Sequence, residues 1–144
     1  MTISSKGIDL IKKWEQFRAE PYLCSAGKVT IGYGHTTTAS MSQPSITERQ
    51  AIDLLVSDLT IFEAQLKPLL KGIELNQNQY DAVVSFCFNL GVYTFKKSTA
   101  YKVMKKDPNS KHISDSWIQY RNAGGNYLRG LLKRRLDELT LYYK

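Results

Sequence analysis

Glu15, Cys24 and Thr30 place a carboxyl, a thiol and a hydroxyl in one short window near the start of the chain. A bond to a poor leaving group breaks with help from a proton donor, and a carboxyl that keeps its proton near neutral pH can be that donor. A thiolate can act as a base or a nucleophile, and a hydroxyl can hold a water molecule. The three residue types therefore suit hydrolysis, with Glu15 as the candidate acid.

A helix must position this acid. Ile8, Ile11 and Glu15 are three and four residues apart, so they fall on one face of a helix that we predict over residues 4 to about 19. An ionised carboxyl on an otherwise apolar face loses solvation, which favours the protonated form. The pattern therefore suits the role of proton donor.

A hairpin should carry the other two residues. Pro21 lacks an N–H and disfavours helix in the residue before it, so the first helix should end by Glu20. Residues 22 to about 36 predict a hairpin, with a turn over residues 25–28 and a strand from Val29 to Tyr33. This arrangement puts the thiol and the hydroxyl on one local unit.

Each residue alone also has an ordinary structural interpretation. A single Glu on an amphipathic helix usually lies at the boundary of the core near a cation. A single Cys is usually a small buried hydrophobic residue, and a Thr in a strand usually serves the strand. The case for chemistry therefore rests on the combined spacing.

That spacing, Glu15-x8-Cys24-x5-Thr30, is followed directly by Ile-Gly-Tyr-Gly-His at residues 31–35. The pattern resembles the catalytic region of the bacteriophage-type lysozymes, glycoside hydrolase family 24, which carry Glu, then Asp or Cys, then Thr. The resemblance implies an α+β, mostly helical, lysozyme-like fold, with a small β-hairpin lobe and a helical lobe joined by a long helix. It also implies an endolysin that hydrolyses β-1,4 bonds between N-acetylmuramic acid and N-acetylglucosamine in bacterial peptidoglycan and so lyses the host cell. The three residues of the pattern would then be catalytic.

The resemblance extends to about residue 142. Residues 88–91 look like the family's Phe-Asn-Leu-Gly segment, residues 123–125 its Gly-Gly loop, and residues 130–138 its Gly-Leu-x-x-Arg-Arg-x-x-Glu signature. We expect four residues to contact substrate, namely Tyr33, Asn89, Gly124 and Gly125. For Asn89, capping of its own helix is an alternative.

Four charged residues are expected to support the fold. Asp58 lies on the apolar face of the long helix and needs a partner, and the resemblance supplies His35. We predict that Arg135 or Arg134 reaches toward Glu15. For Arg134, a surface ion pair with Asp137 or Glu138 is the competing interpretation.

The role of Cys24 stays open at this point. A thiol with the ordinary pKa of about 8.5 is mostly protonated at neutral pH, although Lys28 could lower that pKa if it lies close. Cys24 could therefore act as a thiolate base, as a nucleophile or only as a group that positions water. The separation of two carboxyls, which distinguishes inverting from retaining glycosidases, does not apply to a thiol.

The composition narrows the partners. The chain has 144 residues, 42% of them hydrophobic and 23% charged, which is typical of a soluble globular protein. The net charge of +7 favours an anionic partner such as the bacterial cell wall. No basic run reaches five residues and no nucleic-acid-binding motif is present, so we expect no nucleic acid partner. No metal and no cofactor are expected.

The longest apolar stretch, residues 82–90, is too short to cross a bilayer, so stable membrane insertion is not expected. The first residues show no signal peptide or signal anchor. We expect a monomer that stays in the host cytoplasm until it is released to the cell wall. The resemblance implies that a separate holin-type pore protein releases it.

We divide the single domain into a small α/β lobe at about residues 1–46, a connecting helix at about 47–70 and a helical lobe at about 71–144. Capping boxes at Thr47–Gln50 and Asn76–Gln79 predict two helix starts. Beyond Gly91, which should end the second of these helices, we predict helices at Phe95–Lys106, His112–Arg121 and Tyr127–Tyr143, and a loop over residues 122–126. The last helix should bury a stripe of Leu128, Leu131, Leu132, Arg135, Leu136 and Leu139.

Three functions are consistent with the basic, mostly helical chain. The first is a peptidoglycan-cleaving lysozyme. The second is a catalytically silent wall-binding or regulatory protein on the same fold, because Cys24 stands where many members have a carboxylate. The third is a basic nucleic-acid-binding domain. Glu15 and Thr30 are both present, which disfavours the second, and the lack of a recognition motif disfavours the third.

Overall fold

The computed structural model describes residues 1–144 and is mostly helical, as the sequence predicts. A short β-ribbon lies near the start and a shorter one near the end. In chain order the elements are α1 (Ser5–Glu15), β1 (Arg18–Leu23), β2 (Val29–Gly32), α2 (Glu48–Leu70), α3 (Gln77–Leu90), α4 (Val92–Lys97), α5 (Thr99–Lys106), α6 (His112–Trp117), β3 (Asn122–Ala123), β4 (Asn126–Tyr127) and α7 (Arg129–Tyr142).

The chain forms two compact units. Unit 2 is Ile11–Ile61, and unit 1 combines Met1–Leu10 with Phe62–Lys144. The sequence division placed residues 1–10 in the small lobe, whereas here they pack with the helical residues. The N–H of Ile3 donates to Glu63 Oε1 at 2.6 Å, and the N–H of Ser4 donates to Asp81 Oδ1 at 2.9 Å.

In unit 2, α1 ends at Glu15, four residues earlier than predicted. Gln16 has φ 60°, a left-handed conformation that stops the helix. The strand β1 starts at Arg18, so Pro21 lies inside a strand and does not mark the end of the helix. The strand pairs with β2 in antiparallel fashion, and the register is irregular between Arg18 and Tyr22.

Both capping boxes are confirmed. The Thr47 N–H donates to Gln50 Oε1 at 2.9 Å and the Gln50 N–H donates to Thr47 Oγ1 at 3.1 Å. The same reciprocal pair forms between Asn76 and Gln79, at 3.0 and 2.8 Å. These bonds satisfy N–H groups that the first turn of a helix leaves without partners. Gly91, with φ 91°, follows α3 and confirms the predicted end.

Three predictions beyond Gly91 are wrong in detail. The helix predicted over residues 95–106 is two helices, because Ser98 is extended and its hydroxyl accepts the Tyr101 N–H at 3.1 Å as the cap of α5. The helix predicted over residues 112–121 stops at Trp117. The predicted loop at 122–126 is the β3–β4 ribbon, whose turn is Gly124–Gly125.

The last helix runs over Arg129–Tyr142, and its buried face differs from the predicted leucine stripe. Leu128 and Leu136 are each 45% exposed. Arg135 and Leu139 of the predicted stripe are buried, and the other buried residues of α7 are Arg134, Glu138 and Tyr142.

An aromatic cluster lies at the core of unit 1. Phe86 of α3 contacts Trp117 and Tyr120, with ring centroids 4.8 and 5.2 Å apart, and also Phe95 at 6.1 Å. Phe86, Phe95 and Trp117 are fully buried, and large aromatic side chains contribute strongly to a core. None of the helices in the protein has both the length and the apolar character needed to cross a membrane.

Candidate active site

Glu15 is the last residue of α1 and is half-buried. The left-handed Gln16 follows it and turns the chain into β1. The Glu15 carboxyl therefore lies at the C-terminal end of α1, three residues before the ribbon begins at Arg18. Local backbone geometry fixes this position, so the candidate acid and the ribbon belong to one continuous stretch of unit 2.

Cys24 begins the turn that closes the ribbon. Its N–H donates to the Lys28 carbonyl at 2.9 Å, and its carbonyl accepts the Gly27 N–H at 2.8 Å. Thr30 lies on β2 beyond the turn and is 3% exposed. The Thr30 hydroxyl is 3.1 Å from the Lys28 carbonyl oxygen. The thiol and the hydroxyl of the predicted set are thus at the same end of the ribbon.

Hydrogen-bond donors lower the pKa of the Cys24 thiol. The main cause is the backbone N–H of Lys28, followed by the backbone N–H of Ala26 and the hydroxyl of Thr30, and slight burial opposes them. Lys28 thus lowers this pKa through its backbone N–H. Donors that point at a sulfur stabilise its thiolate, which is the reactive form.

The Thr30 hydroxyl has one proton and two nearby acceptors, the Lys28 carbonyl and the Cys24 sulfur. It can donate to only one of them at a time. Its lone pairs stay available to a water molecule in either case. Thr30 can therefore link a thiolate and a water without a change of backbone.

Sequence reasoning missed Tyr22. Tyr22 is the direct cross-strand partner of Thr30, and Arg18 lies 4.2 Å from the centre of its ring. Burial raises the pKa of Tyr22; Arg18 opposes the rise, and the negative charges of Glu15 and Cys24 add to it. The charges of both Glu15 and Cys24 thus act on Tyr22. The signal in the sequence was its place two residues before Cys24.

His35 and Asp58 make the predicted side-chain contact. His35 Nδ1 lies 2.8 Å from Asp58 Oδ2, and its Nε2 lies 2.6 Å from the Thr38 hydroxyl. The side chains are 6% and 14% exposed. With both ring nitrogens engaged inside unit 2, the histidine has a supporting position.

Tyr33 lies in the same segment but is 5% exposed, and its hydroxyl donates to Glu48 Oε1 at 2.9 Å. Burial, with Glu48 adding, raises the pKa of Tyr33. This geometry favours a structural role that ties the hairpin to the start of α2. Contact between Tyr33 and substrate stays a prediction.

In unit 1, the Asn89 side-chain oxygen is buried and has no hydrogen-bond partner. It does not cap α3, whose end is closed by the Gly91 N–H donating to the Cys87 carbonyl at 2.7 Å. A buried acceptor without a donor is costly unless a ligand or water supplies one. Gly124 and Gly125 are exposed at the turn of the β3–β4 ribbon, with φ 57° and 80°.

Arg134 and Arg135 share the carboxylate of Glu138. Arg134 Nε lies 3.3 Å from Glu138 Oε2, and Arg135 Nη2 lies 3.0 Å from the same oxygen. Arg135 Nε is 2.8 Å from Oε1, within ion-pair distance but without the angle of a hydrogen bond. The pair of Arg134 with Glu138 is therefore buried and not on the surface. Contact of either arginine with Glu15 stays a prediction.

Two further residues complete this buried cluster and were missed from the sequence. The Ser85 hydroxyl donates to Glu138 Oε2 at 2.6 Å, and the Trp117 indole N–H donates to Oε1 at 3.0 Å. Glu138 itself is fully buried. Burial lowers the pKa of Arg135, and the Glu138 charge opposes that shift.

Comparison with known proteins extends these local observations to the whole chain. Residues 12–138 match the phage lysozyme family. The chain belongs to that family. This phage lysozyme is accordingly a glycoside hydrolase, and Glu15, Cys24 and Thr30 all lie within the matched residues.

Individual relatives agree. An endolysin of Acyrthosiphon pisum secondary endosymbiont phage 1 is 38% identical, over 99% of this chain and 98% of its own. The muramidase domain of SpmX from Asticaccaulis excentricus has a TM-score of 0.90 and 31% identity, covering 99% of this chain and 98% of that one. The endolysin from Escherichia coli O157:H7 phage FAHEc1 has a TM-score of 0.86 and 31% identity, covering 99% and 93%. The α+β lysozyme-like fold is confirmed.

Proposed function

We propose that this phage lysozyme is an endolysin that hydrolyses the β-1,4 bond between N-acetylmuramic acid and N-acetylglucosamine in bacterial peptidoglycan, causing lysis. The observation that carries the proposal is the group of Glu15, Cys24 and Thr30 in one helix–ribbon stretch of unit 2. Within it, backbone donors stabilise the thiolate of Cys24. An acid and a base of this kind are what glycoside hydrolysis needs.

In the proposed reaction, Glu15 donates its proton to the glycosidic oxygen as the bond to the anomeric carbon breaks. Thr30 holds the attacking water. Cys24 takes a proton from that water as its oxygen bonds to the anomeric carbon, so the thiolate ends as a thiol and Glu15 as a carboxylate. A base that activates water gives inversion, whereas attack by sulfur itself would give a thioglycosyl intermediate and retention. The donors that stabilise the Cys24 thiolate support a role as base or as nucleophile. They argue against a residue that only fills space.

Asn89 is our candidate sugar contact, because its buried oxygen needs a donor. A sugar hydroxyl or the N–H of an acetamido group is such a donor. Gly124 and Gly125 remain candidates on family resemblance. Family resemblance likewise supports our proposals that the enzyme acts as a monomer in the wall and is released from the cytoplasm by a separate holin-type protein.

The first test is turbidity clearing of chloroform-treated bacteria by the parent, Glu15→Gln and Cys24→Ser. Glu15→Gln should abolish clearing with little loss of stability, because it removes the proton and keeps the shape. Cys24→Ser should be nearly inactive, because a hydroxyl is too weak an acid to ionise near neutral pH. Full clearing by folded Glu15→Gln would refute the acid role, and parental turnover by Cys24→Ser would make Cys24 a spacer.

Cys87 is the internal control for thiol chemistry. It is fully buried, and burial raises its pKa well above the usual range. Alkylation of Cys24 should stop clearing, substrate fragments should protect Cys24, and Cys87 should react slowly. The anomeric configuration of the first product, read by NMR, then separates base from nucleophile.

A further inference from the structure

The positive charge of the chain is concentrated in one stretch of unit 1. The sequence has 20 Lys and Arg against 13 Asp and Glu, which gives a net charge of +7. Residues 92–106, which form α4 and α5, contain five of these basic residues and none of the acidic ones. This stretch, which we call the lysine stretch, therefore supplies five of the seven net charges.

All five lysines are exposed, and none of them forms an ion pair. They are Lys96, Lys97, Lys102, Lys105 and Lys106. The last three lie on α5, three and four residues apart, so they share one face of that helix. Asp107, the next acidic residue along the chain, accepts the Asn109 N–H at 2.9 Å. The lysine charges are therefore left to solvent or to a partner.

Two of the lysines lie over tyrosine rings. Lys97 Nζ is 4.5 Å from the centre of the Tyr93 ring, and Lys105 Nζ is 4.7 Å from that of Tyr101. The Tyr101 hydroxyl donates to the Leu69 carbonyl at 2.7 Å, which anchors this ring within unit 1. Tyr93 is instead 68% exposed. An ammonium group over a ring is held in place and keeps its charge.

Helix dipoles explain only part of this pattern. Four of the five lysines lie in the last turns of α4 and α5, where a cation is favoured. The same dipoles favour acidic residues in the first turns, yet neither helix has one there. They also give no reason for Lys102, which lies before the last turn of α5. The excess of positive charge therefore calls for a partner.

An anionic membrane surface is the partner that this chemistry fits best. Clusters of about four to eight basic residues on amphipathic helices attract anionic lipid headgroups. The lysine stretch contains no arginine, the residue that pairs in bidentate fashion with single phosphates and is preferred for nucleic acids. Tyrosine is enriched where a membrane meets water, and Tyr93 is exposed beside the lysines.

We propose that the lysine stretch binds the headgroups of an anionic phospholipid bilayer, with the lysines at the phosphates and Tyr93 at the interface. Such a contact would concentrate the enzyme at the membrane that the cell wall surrounds. The proposal does not depend on the roles of Glu15 and Cys24, so its failure would leave the proposed function intact.

The experiment is co-sedimentation of the full chain with vesicles. The parent should bind vesicles of equal parts phosphatidylglycerol and phosphatidylcholine, and should not bind phosphatidylcholine alone. Raising NaCl from about 0.1 M to about 1 M should release it, because the screening length falls from about 10 Å to about 3 Å. Combined Lys102→Gln, Lys105→Gln and Lys106→Gln should weaken binding about 100-fold, since each lysine near an anionic surface contributes about fivefold.

A matched control removes the same charge elsewhere. Lys6, Lys71 and Lys144 are exposed and lie outside the lysine stretch. Their combined replacement by Gln lowers the net charge equally and should leave most of the binding to anionic vesicles. Replacing the three lysines of α5 by Arg should also keep binding, because the charges remain. Clearing of isolated peptidoglycan at the parental rate checks that each variant is folded.

An equal loss of vesicle binding in the two Gln variants would overturn the proposal, because binding would then follow net charge alone. Parental binding to phosphatidylcholine alone, or binding that does not respond to salt, would overturn it as well. Tighter binding to double-stranded DNA than to anionic vesicles at the same ionic strength would assign the lysine stretch to nucleic acid and refute a membrane role.

Discussion

Glu138→Gln should destabilise this protein strongly although it changes one atom of the side chain. The substitution keeps the shape of the residue and removes its charge. Arg134 and Arg135, 3% and 0% exposed, then keep two positive charges in the core of unit 1. Arg135 also has a buried Nη1 with no acceptor, so Glu138 is its main compensation.

Removing one partner of a buried ion pair costs about 3–5 kcal/mol. Natural domains are stable by about 5–15 kcal/mol, so Glu138→Gln should remove at least about a fifth of the total. For a chain of this size the melting temperature should fall by about 6–20 °C. Ser85→Ala removes one neutral donor to that carboxylate at 2.6 Å and should cost less, about 1.5–3 kcal/mol.

The assay is urea unfolding followed by circular dichroism and by tryptophan fluorescence, since Trp117 donates to Glu138 and reports on the cluster. Asp115→Asn is the control, because its pair with His112 is exposed and 3.4 Å long. That control should leave the unfolding curve unchanged. A Glu138→Gln variant within about 1 kcal/mol of the parent would refute the view that its charge compensates the arginines.

Three other predictions concern unit 2 and Asn89. His35→Ala and Asp58→Ala should each cost up to about 3–5 kcal/mol, less to the extent that Asp58 is exposed, and the double variant should lose less than the sum; strictly additive losses in urea unfolding would show no coupling. Asn89→Ala should weaken turnover of wall polymer far more than it lowers the melting temperature, and the reverse pattern would argue against a sugar contact. Cys24→Asp should stay active and shift the ascending limb of the pH–turnover profile to lower pH, because the ordinary pKa of Asp is about 3.9 against about 8.5 for Cys. Because the pKa of Cys24 is already lowered, the ascending limb should move by less than the difference between the two ordinary pKa values, but in the same direction. If the limb does not move, it reports the titration of another group.

Local signals predicted local structure well. The capping boxes at Thr47 and Asn76 formed as expected, because such bonds join residues only three apart. The candidate catalytic residues Glu15, Cys24 and Thr30 are also close in sequence, so their shared stretch could be predicted as well. Ser98 shows the limit, since helical periodicity ran through it from α4 to α5, although a serine can equally cap a new helix.

Interactions between distant residues were the ones missed. Periodicity placed Leu136 in the core and gave no reason to bury Glu138, yet Glu138 is buried because Ser85 and Trp117, far away in sequence, donate to it. No pattern within α7 contains that information. The donors to Cys24 were hidden for another reason, because backbone N–H groups have no side-chain signature in a sequence.

Unit 1 brings together the two ends of the chain, and this connectivity has a consequence during synthesis. The hydrogen bond from the Ser4 N–H cannot form until its acceptor Asp81 has been synthesised, 77 residues later. At about 5–20 residues per second, a ribosome needs about 4–15 s to close that gap. Residues 11–61 have all been made by then, so unit 2 has every residue that it needs while the amino end of α1 still lacks its acceptor. The order of translation therefore favours formation of the ribbon with Cys24 and Thr30 first, and the helical unit closes over the start of the chain last.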